Sequence, residues 1–520
     1  MNNILDYVIK TYNSKLFCTK NKIIYFLIIF ITSRFIIYNN FIDNITINFD
    51  LDYKTALNEN FLEYLIFYHS LPIGNIILAK NYLYLSNYIE AKTFYYVLNC
   101  IYSLLSFFLI FKIYSEIYKK IGIINYILLI IFSVAISQYE TWRIDHHDHI
   151  NLFLFTYLIY FFYNYIFKNN IESTTLVSIF LLFALFYSGS LIILIETMAI
   201  IIILNMINKK SFDKKLIFYL IIFIIFNGII ILKNFYNLKI IAPTSVMNSV
   251  LLQRIHHALG DEKYKINLEK TKLPGYQKEC INEIYLNKQN AKNHFEELTL
   301  YKCYQNKNKY NYIKIINKLR DFNVEEKLID QIKKDKNDTE NKLWKLSGGY
   351  KEYNERTSHI FNTETKKIFF NSIINYPYET IIGKIGSKGF ILTFIQTSYW
   401  GAVLPNYYEK YNKINNSIYK VLNLILAILN IFFVFYFLFF LVKELLIKKN
   451  FKILKKKLFQ LNLIILLLIF FFIFINSIIT CCENPRMMVM IYFLFVINTL
   501  INSKKIIDLY LINKSLIKIF

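Results

Sequence analysis

Gln138-Tyr-Glu-Thr-Trp-Arg-Ile-Asp-His-His-Asp-His149 lies between two strongly apolar runs, Gly122–Ile136 and Ile150–Phe167. Two such runs around a charged turn read as a pair of helices that crosses lipid and returns. Asp145, His146, His147, Asp148 and His149 follow one another, with Glu140 and Arg143 just ahead. Held inside hydrocarbon, that cluster would be very costly. It therefore belongs at a membrane surface, or in a watery cavity that opens there.

The rest of the chain agrees. Of 520 residues, 55% are hydrophobic and 18% aromatic, with only 12 Gly and 6 Pro as punctuation; mean hydropathy is +0.35. Several runs approach the roughly 20 apolar residues a spanning helix needs. The short alternating segments of a β-barrel are absent. The reading is an all-α, polytopic membrane protein. The net charge of +24 does not indicate nucleic acid. Its lysines either cluster at the ends of apolar runs or mix with acids in one polar region, and the first pattern is the positive-inside signal. Six cysteines are too few for a disulfide scaffold.

Taken in order, a basic start (Lys10, Lys15, Lys20, Lys22) precedes a first span, Ile23–Phe41. Arg34 lies within it, placed either to snorkel to the surface or to hold an anionic group. Residues 43–70 carry Asp43, Asp50, Asp52, Glu59 and Glu63 against Lys54 alone, the pattern of an outward loop. Residues 58–88 read as amphipathic helices at the interface, broken at Pro72. Spans follow at about 93–114, 121–138, 150–168, 173–187, 190–207 and 215–233, and later at about 417–443, 458–479 and 486–502, for about ten in all. Lys112, Lys119, Lys120, Lys168, Lys209, Lys210, Lys214, Lys215, the 448–457 block, Lys504 and Lys505 all fall on one side. That side is the cytoplasm if both termini are inside. Three regions result: a transmembrane module over 1–233, a polar insert of helical character over 234–385, and C-terminal helices over 386–520.

This topology gathers Asp52, the Glu140–His149 stretch, Lys233 and Glu483-Asn-Pro-Arg486 on the outer face. Carboxylates there suit a general base that activates a hydroxyl. Arginine and lysine suit a phosphate. Asp145 and His149 share a helix face at i, i+4. With His146 they are the candidate ligands for Mn²⁺ or Mg²⁺.

Asp52 through Asn75 resembles the first outer loop of bacterial GT-C glycosyltransferases, polytopic enzymes related to protein mannosyltransferases and aminoarabinose transferases. Tyr68-His-Ser-Leu-Pro72 matches part of their His-Ser-Gln-Pro-Pro turn, with Leu71 and Ile73 departing from it. Tyr139-Glu-Thr-Trp142 is similar to their Tyr-Glu-Asn-Trp element, and Glu483-Asn-Pro-Arg486 to their Glu-Asn-x-Arg. Phe186-Tyr-Ser-Gly-Ser190 sits where they break a helical pair. The resemblance implies transfer of a sugar from a polyprenyl-phosphate donor to a lipid, glycan or protein acceptor on the extracytoplasmic face of a plasma membrane. Asp52, Glu140 and Asp145 would be the catalytic acids, with Asp43 and Asp50 as rivals to Asp52. Arg486, Lys233 and Arg143 would bind the phosphate, and His69 would either join them or hold the Pro72 turn. Arg143-Ile-Asp-His-His147 also resembles the acidic second loop of oligosaccharyltransferases, which implies a metal-dependent alternative. An O-antigen polymerase or ligase and a transporter of lipid-linked sugars are further alternatives.

Overall fold

The computed structural model describes residues 19–41, 61, 65, 72–118, 122–137, 139–141, 148–168, 173–187, 189–208, 214–238, 269, 369–382, 413–479 and 490–517. Those residues form helices and turns, with no strand among them. The helices are α1 (Thr19–Phe41), α2 (Gly74–Leu85), α3 (Ala91–Tyr118), α4 (Ile123–Ile136), α5 (Asp148–Phe167), α6 (Ser173–Phe186), α7 (Ser190–Asn208), α8 (Lys214–Leu238), α9 (Lys413–Val442), α10 (Lys457–Ile479) and α11 (Tyr492–Ile517). A short 3₁₀ turn, Tyr139–Thr141, lies between α4 and α5.

Among the described residues, seven helices are long and apolar enough to cross a membrane. They include α1, α3, α5, α7, α9 and α10, and the seventh combines α4 with the 3₁₀ turn. The expected count of about ten also needs α6, α8 and α11, which do not meet that standard. α6 has only 14 residues. The apolar stretch of α8 is Leu220–Phe235. α11 carries Asn498, Asn502, Lys504, Lys505 and Asp508. The insert expected over 234–385 and the return over 386–404 lie almost wholly outside the described residues.

α5 is the central helix. It packs against α3, α6, α10 and α11, and nearly every side chain along it is buried. An apolar helix enclosed on all sides is what a bundle core requires. Its aromatics interlock with those of its neighbours: Phe155 meets Phe183, Tyr187 and Phe472 edge-on at 5.1–6.1 Å. α1 instead shows alternate faces to core and surround: Phe26, Phe30 and Ile37 are buried while Ile28, Ile31 and Phe35 are exposed. That exposed apolar face has lipid as its natural surround.

Lipid gives apolar helices no hydrophobic reason to associate, so close packing and interhelical hydrogen bonds must hold the bundle. Asparagine supplies many of them. Asn462 of α10 donates to Asn502 of α11 (3.0 Å), which is itself held within α11 by bonds to both oxygens of Asn498 (2.9 Å each). Thr499 donates to Asn430 (2.8 Å), and Asn125 to the Leu500 carbonyl (3.0 Å).

The same contacts sort the helix ends. Tyr126 donates to the Lys22 carbonyl, so α1 and α4 start side by side. Tyr163 and Lys168 both reach Glu116, and Lys457 reaches the Phe167 carbonyl, so the ends of α3 and α5 meet the start of α10. These termini form one end of the bundle, rich in lysine. At the other end, Asn151 donates to the Phe186 carbonyl (3.1 Å), seating the start of α5 on the end of α6. α2 lies at this second end and packs against α6. Its 12 residues are too few to span. Tyr84 and Tyr88 beyond its core face are exposed. A helix does follow Pro72, as expected, and it is too short to cross a membrane.

Candidate functional site

The polar end of the bundle is where the expected site residues that lie within the described regions are found. Glu140 sits in the 3₁₀ turn after α4, and Arg34 is in the last third of α1. Their side chains meet in a buried bidentate pair: Nε donates to Oε2 at 2.9 Å and Nη2 to Oε1 at 2.6 Å. Glu140 is 0% exposed and Arg34 4%. The spare Nη1 donates to Ser133 (2.9 Å) and Ser33 (3.1 Å), and the guanidinium lies 3.7 Å over the Phe30 ring. Cys100 donates its thiol to Oε2 at 3.5 Å. The backbone is tied in as well: Asn99 donates to the Glu140 carbonyl and Tyr96 to the Arg34 carbonyl.

This arrangement changes the part expected of Glu140. Both of its oxygens already hold donors, so it is not free to take a proton from an incoming hydroxyl. A planar fork on a carboxylate fixes geometry as well as charge. The pair clamps α1, α3, α4 and the turn that leads to Asp145–His149. Arg34 is thus the holder of an anion, the second of its two expected roles, and the anion is the chain's own.

Asp148 and His149 open α5 and are both buried. The His149 ring lies against Tyr139, centroids 4.7 Å apart and planes at 41°. An acid in the first turn is favoured by the helix dipole. The i, i+4 partner expected for His149, Asp145, lies outside the described residues, as do His146, Arg143, Asp52, His69 and Arg486. Among the described residues no three acidic, histidine or cysteine groups are placed to hold a metal ion. The Mn²⁺ or Mg²⁺ expectation therefore has only His149 in view, and its ring packs on a tyrosine.

Lys233 is near the end of α8 and donates to the Leu65 carbonyl at 3.3 Å. It ties that helix to the segment that follows Asp52 in sequence. Close by in the fold, Gly74 begins α2 against Phe186: a Cβ built on it would fall 2.3–2.7 Å from that ring. Only glycine lets α2 approach so closely.

No family model, curated protein or solved structure matches the chain.

One buried acid was missed in the sequence reading. Glu196 lies on α7, is 5% exposed, and neither carboxylate oxygen has a hydrogen-bond partner among the described residues. The available signal was a single acid inside the 19-residue apolar run Ser190–Asn208. Such a residue is a functional candidate by default.

Proposed function

We propose that the chain is an integral membrane glycosyltransferase that moves a sugar from a polyprenyl-phosphate donor to a lipid, glycan or protein acceptor. The observation that carries the reading is the asymmetry of the bundle. Asp148, His149, Glu196 and Lys233 gather at one end, beside an interfacial helix, while the lysine-rich termini gather at the other. A lipid-linked phosphate sugar has its tail in hydrocarbon and its reactive head at that depth. The consistent up-and-down order of the long helices supports about ten crossings with both termini at the lysine-rich, cytoplasmic end.

In this reading Asp52 removes the acceptor's hydroxyl proton. The acceptor oxygen bonds to the anomeric carbon as the carbon–oxygen bond to phosphate breaks. Polyprenyl phosphate leaves with the electron pair, and Arg486, Arg143 and Lys233 steady its charge. Direct attack inverts the anomeric centre. Glu140 and Arg34 fix the 3₁₀ turn that precedes Arg143 and Asp145 in sequence.

The test uses the full chain in lipid nanodiscs, polyprenyl-phosphate sugars labelled in the sugar, and envelope extract as acceptor. Label should pass to the acceptor while free polyprenyl phosphate accumulates, and Asp52→Asn should abolish both in a protein that still inserts. Full activity in that variant removes Asp52 from the mechanism. No turnover of any lipid-linked sugar removes the reaction class.

A further inference from the structure

The connection between α9 and α10 is a built turn. One turn of π-helix (Lys443–Ile447) continues α9, and a 3₁₀ turn (Phe451–Lys455) leads into α10. Residues 443–457 hold seven lysines and one acid. That acid, Glu444, has both oxygens engaged inside the turn: Lys448 donates to Oε1 and Asn450 to Oε2, each at 2.9 Å. Between the two donors, Lys449 turns the chain at φ 49°, a left-handed value uncommon outside glycine. The 3₁₀ turn is pinned as well. Ile453 is buried beneath it, and Gln460 of α10 donates to the Leu454 carbonyl (2.8 Å) and to Asn208 at the end of α7 (2.9 Å).

This frame presents two kinds of side chain outward. Lys449, Lys452, Lys455 and Lys456 are exposed, and among the described residues none of their ammonium groups is paired with an acid. Set among them, Leu446 and Ile447 are each 71% exposed and Phe451 63%. The apolar strip does not begin at the turn. Phe435, Phe439, Val442 and Leu446, all exposed, recur at helical spacing, so the strip runs on from the flank of α9 that faces lipid. An orientation signal is a matter of how many lysines flank a span. It explains neither a turn held in one shape nor bulky apolar side chains placed between the lysines. A bilayer boundary explains both: apolar tips enter the acyl edge while long lysines reach up to the phosphates.

We propose that the Lys443–Lys457 turn is a binding site for anionic phospholipids in the leaflet at the lysine-rich end. Leu446, Ile447 and Phe451 seat the turn in the acyl edge, and Lys449, Lys452, Lys455 and Lys456 hold the headgroup phosphates. A soluble acidic protein would meet the lysines but gives no reason for a strip that continues down α9. The site needs only that the bundle lies in a membrane; it stands apart from the sugar-transfer reading.

The experiment is electron spin resonance of the full chain in phosphatidylcholine bilayers with trace spin-labelled lipid, which separates lipid held at the protein from free lipid. Labelled phosphatidylglycerol should be held about fivefold more strongly than labelled phosphatidylcholine at low salt, the equivalent of one lysine's attraction at the surface. Raising salt from 10 mM to 1 M shortens the screening length from about 30 Å to about 3 Å and should erase most of that preference. The variant with Lys449, Lys452, Lys455 and Lys456 all changed to Gln should bring it below about twofold. Leu446→Ser, Ile447→Ser and Phe451→Ser together keep every lysine and should lower it too. If the lysine variant does not insert, the serine variant and the salt series decide. Equal retention of the two lipids by the parent overturns the proposal, as does a preference unchanged in either variant. Inorganic phosphate at matched ionic strength should act no more strongly than chloride; specific displacement of the lipid by it would make the site one for free phosphate and overturn the lipid assignment.

Discussion

Replacing Glu140 with glutamine tests the buried clamp directly. The substitution keeps the shape and removes the charge, leaving the Arg34 guanidinium enclosed without its counter-ion. Breaking a buried pair from one side costs about 3–5 kcal/mol. Here Ser133, Ser33 and the Phe30 face remain on the guanidinium. A desolvated cation–π contact alone is worth about 2 kcal/mol, so the net loss should fall to about 1–3 kcal/mol. Arg34→Met should cost more, about 4–5 kcal/mol, because Glu140 then keeps only the long Cys100 thiol contact on its carboxylate. The double variant Arg34→Met with Glu140→Gln removes both charges and should lie within about 2 kcal/mol of the parent. Unfolding by denaturant in bicelles, followed by tryptophan fluorescence, completes the cycle. A coupling of at least about 2 kcal/mol is expected, whereas independent sites add to within about 0.5 kcal/mol. Additive single losses would refute the claim that the two side chains act as one unit.

Two further substitutions read the packing. Gly74→Ala places a methyl 2.3–2.7 Å from the buried Phe186 ring. It should destabilise by about 1–3 kcal/mol, with Phe186→Leu restoring part of the loss in the same unfolding assay. Asn502→Leu removes the acceptor that meets Asn462 in the ladder between α10 and α11. Its cost should be about 1–2 kcal/mol, read from the same denaturant midpoint, and an unchanged midpoint would show the ladder to be idle.

Much of the architecture was legible because periodic apolar runs and lysine flanks are local signals. The expected span at about 150–168 is α5, Asp148–Phe167, and the break expected around Phe186–Ser190 falls at the turn between α6 and α7. What was not legible is pairing across long separations. Arg34 and Glu140 were each singled out, but nothing local says that residues 106 positions apart share a hydrogen bond. Asparagine misled in a different way. In a chain this rich in the residue it reads as composition, yet Asn462 and Asn502 bind α10 to α11. Glu196 was passed over because one acid barely alters an apolar run, although its isolation is what makes it informative.

The two ends of the bundle treat charge differently, and the difference bears on function. At the lysine-rich end, Lys168 and Glu116 pair at 2.9 Å with roughly a third of each side chain exposed. Such a pair is worth at most about 1 kcal/mol and can be lost cheaply. At the other end, Glu140, Asp148 and Glu196 are all buried. Glu140 is held by a guanidinium clamp, and that clamp fixes the turn that precedes Asp148 in sequence. A fold that needed charge only for topology would leave it at the surface. Burying acids at one end, where α2 is seated on a glycine, is the feature on which the proposed function rests. This asymmetry is why the proposed sugar-transfer chemistry is assigned to that face.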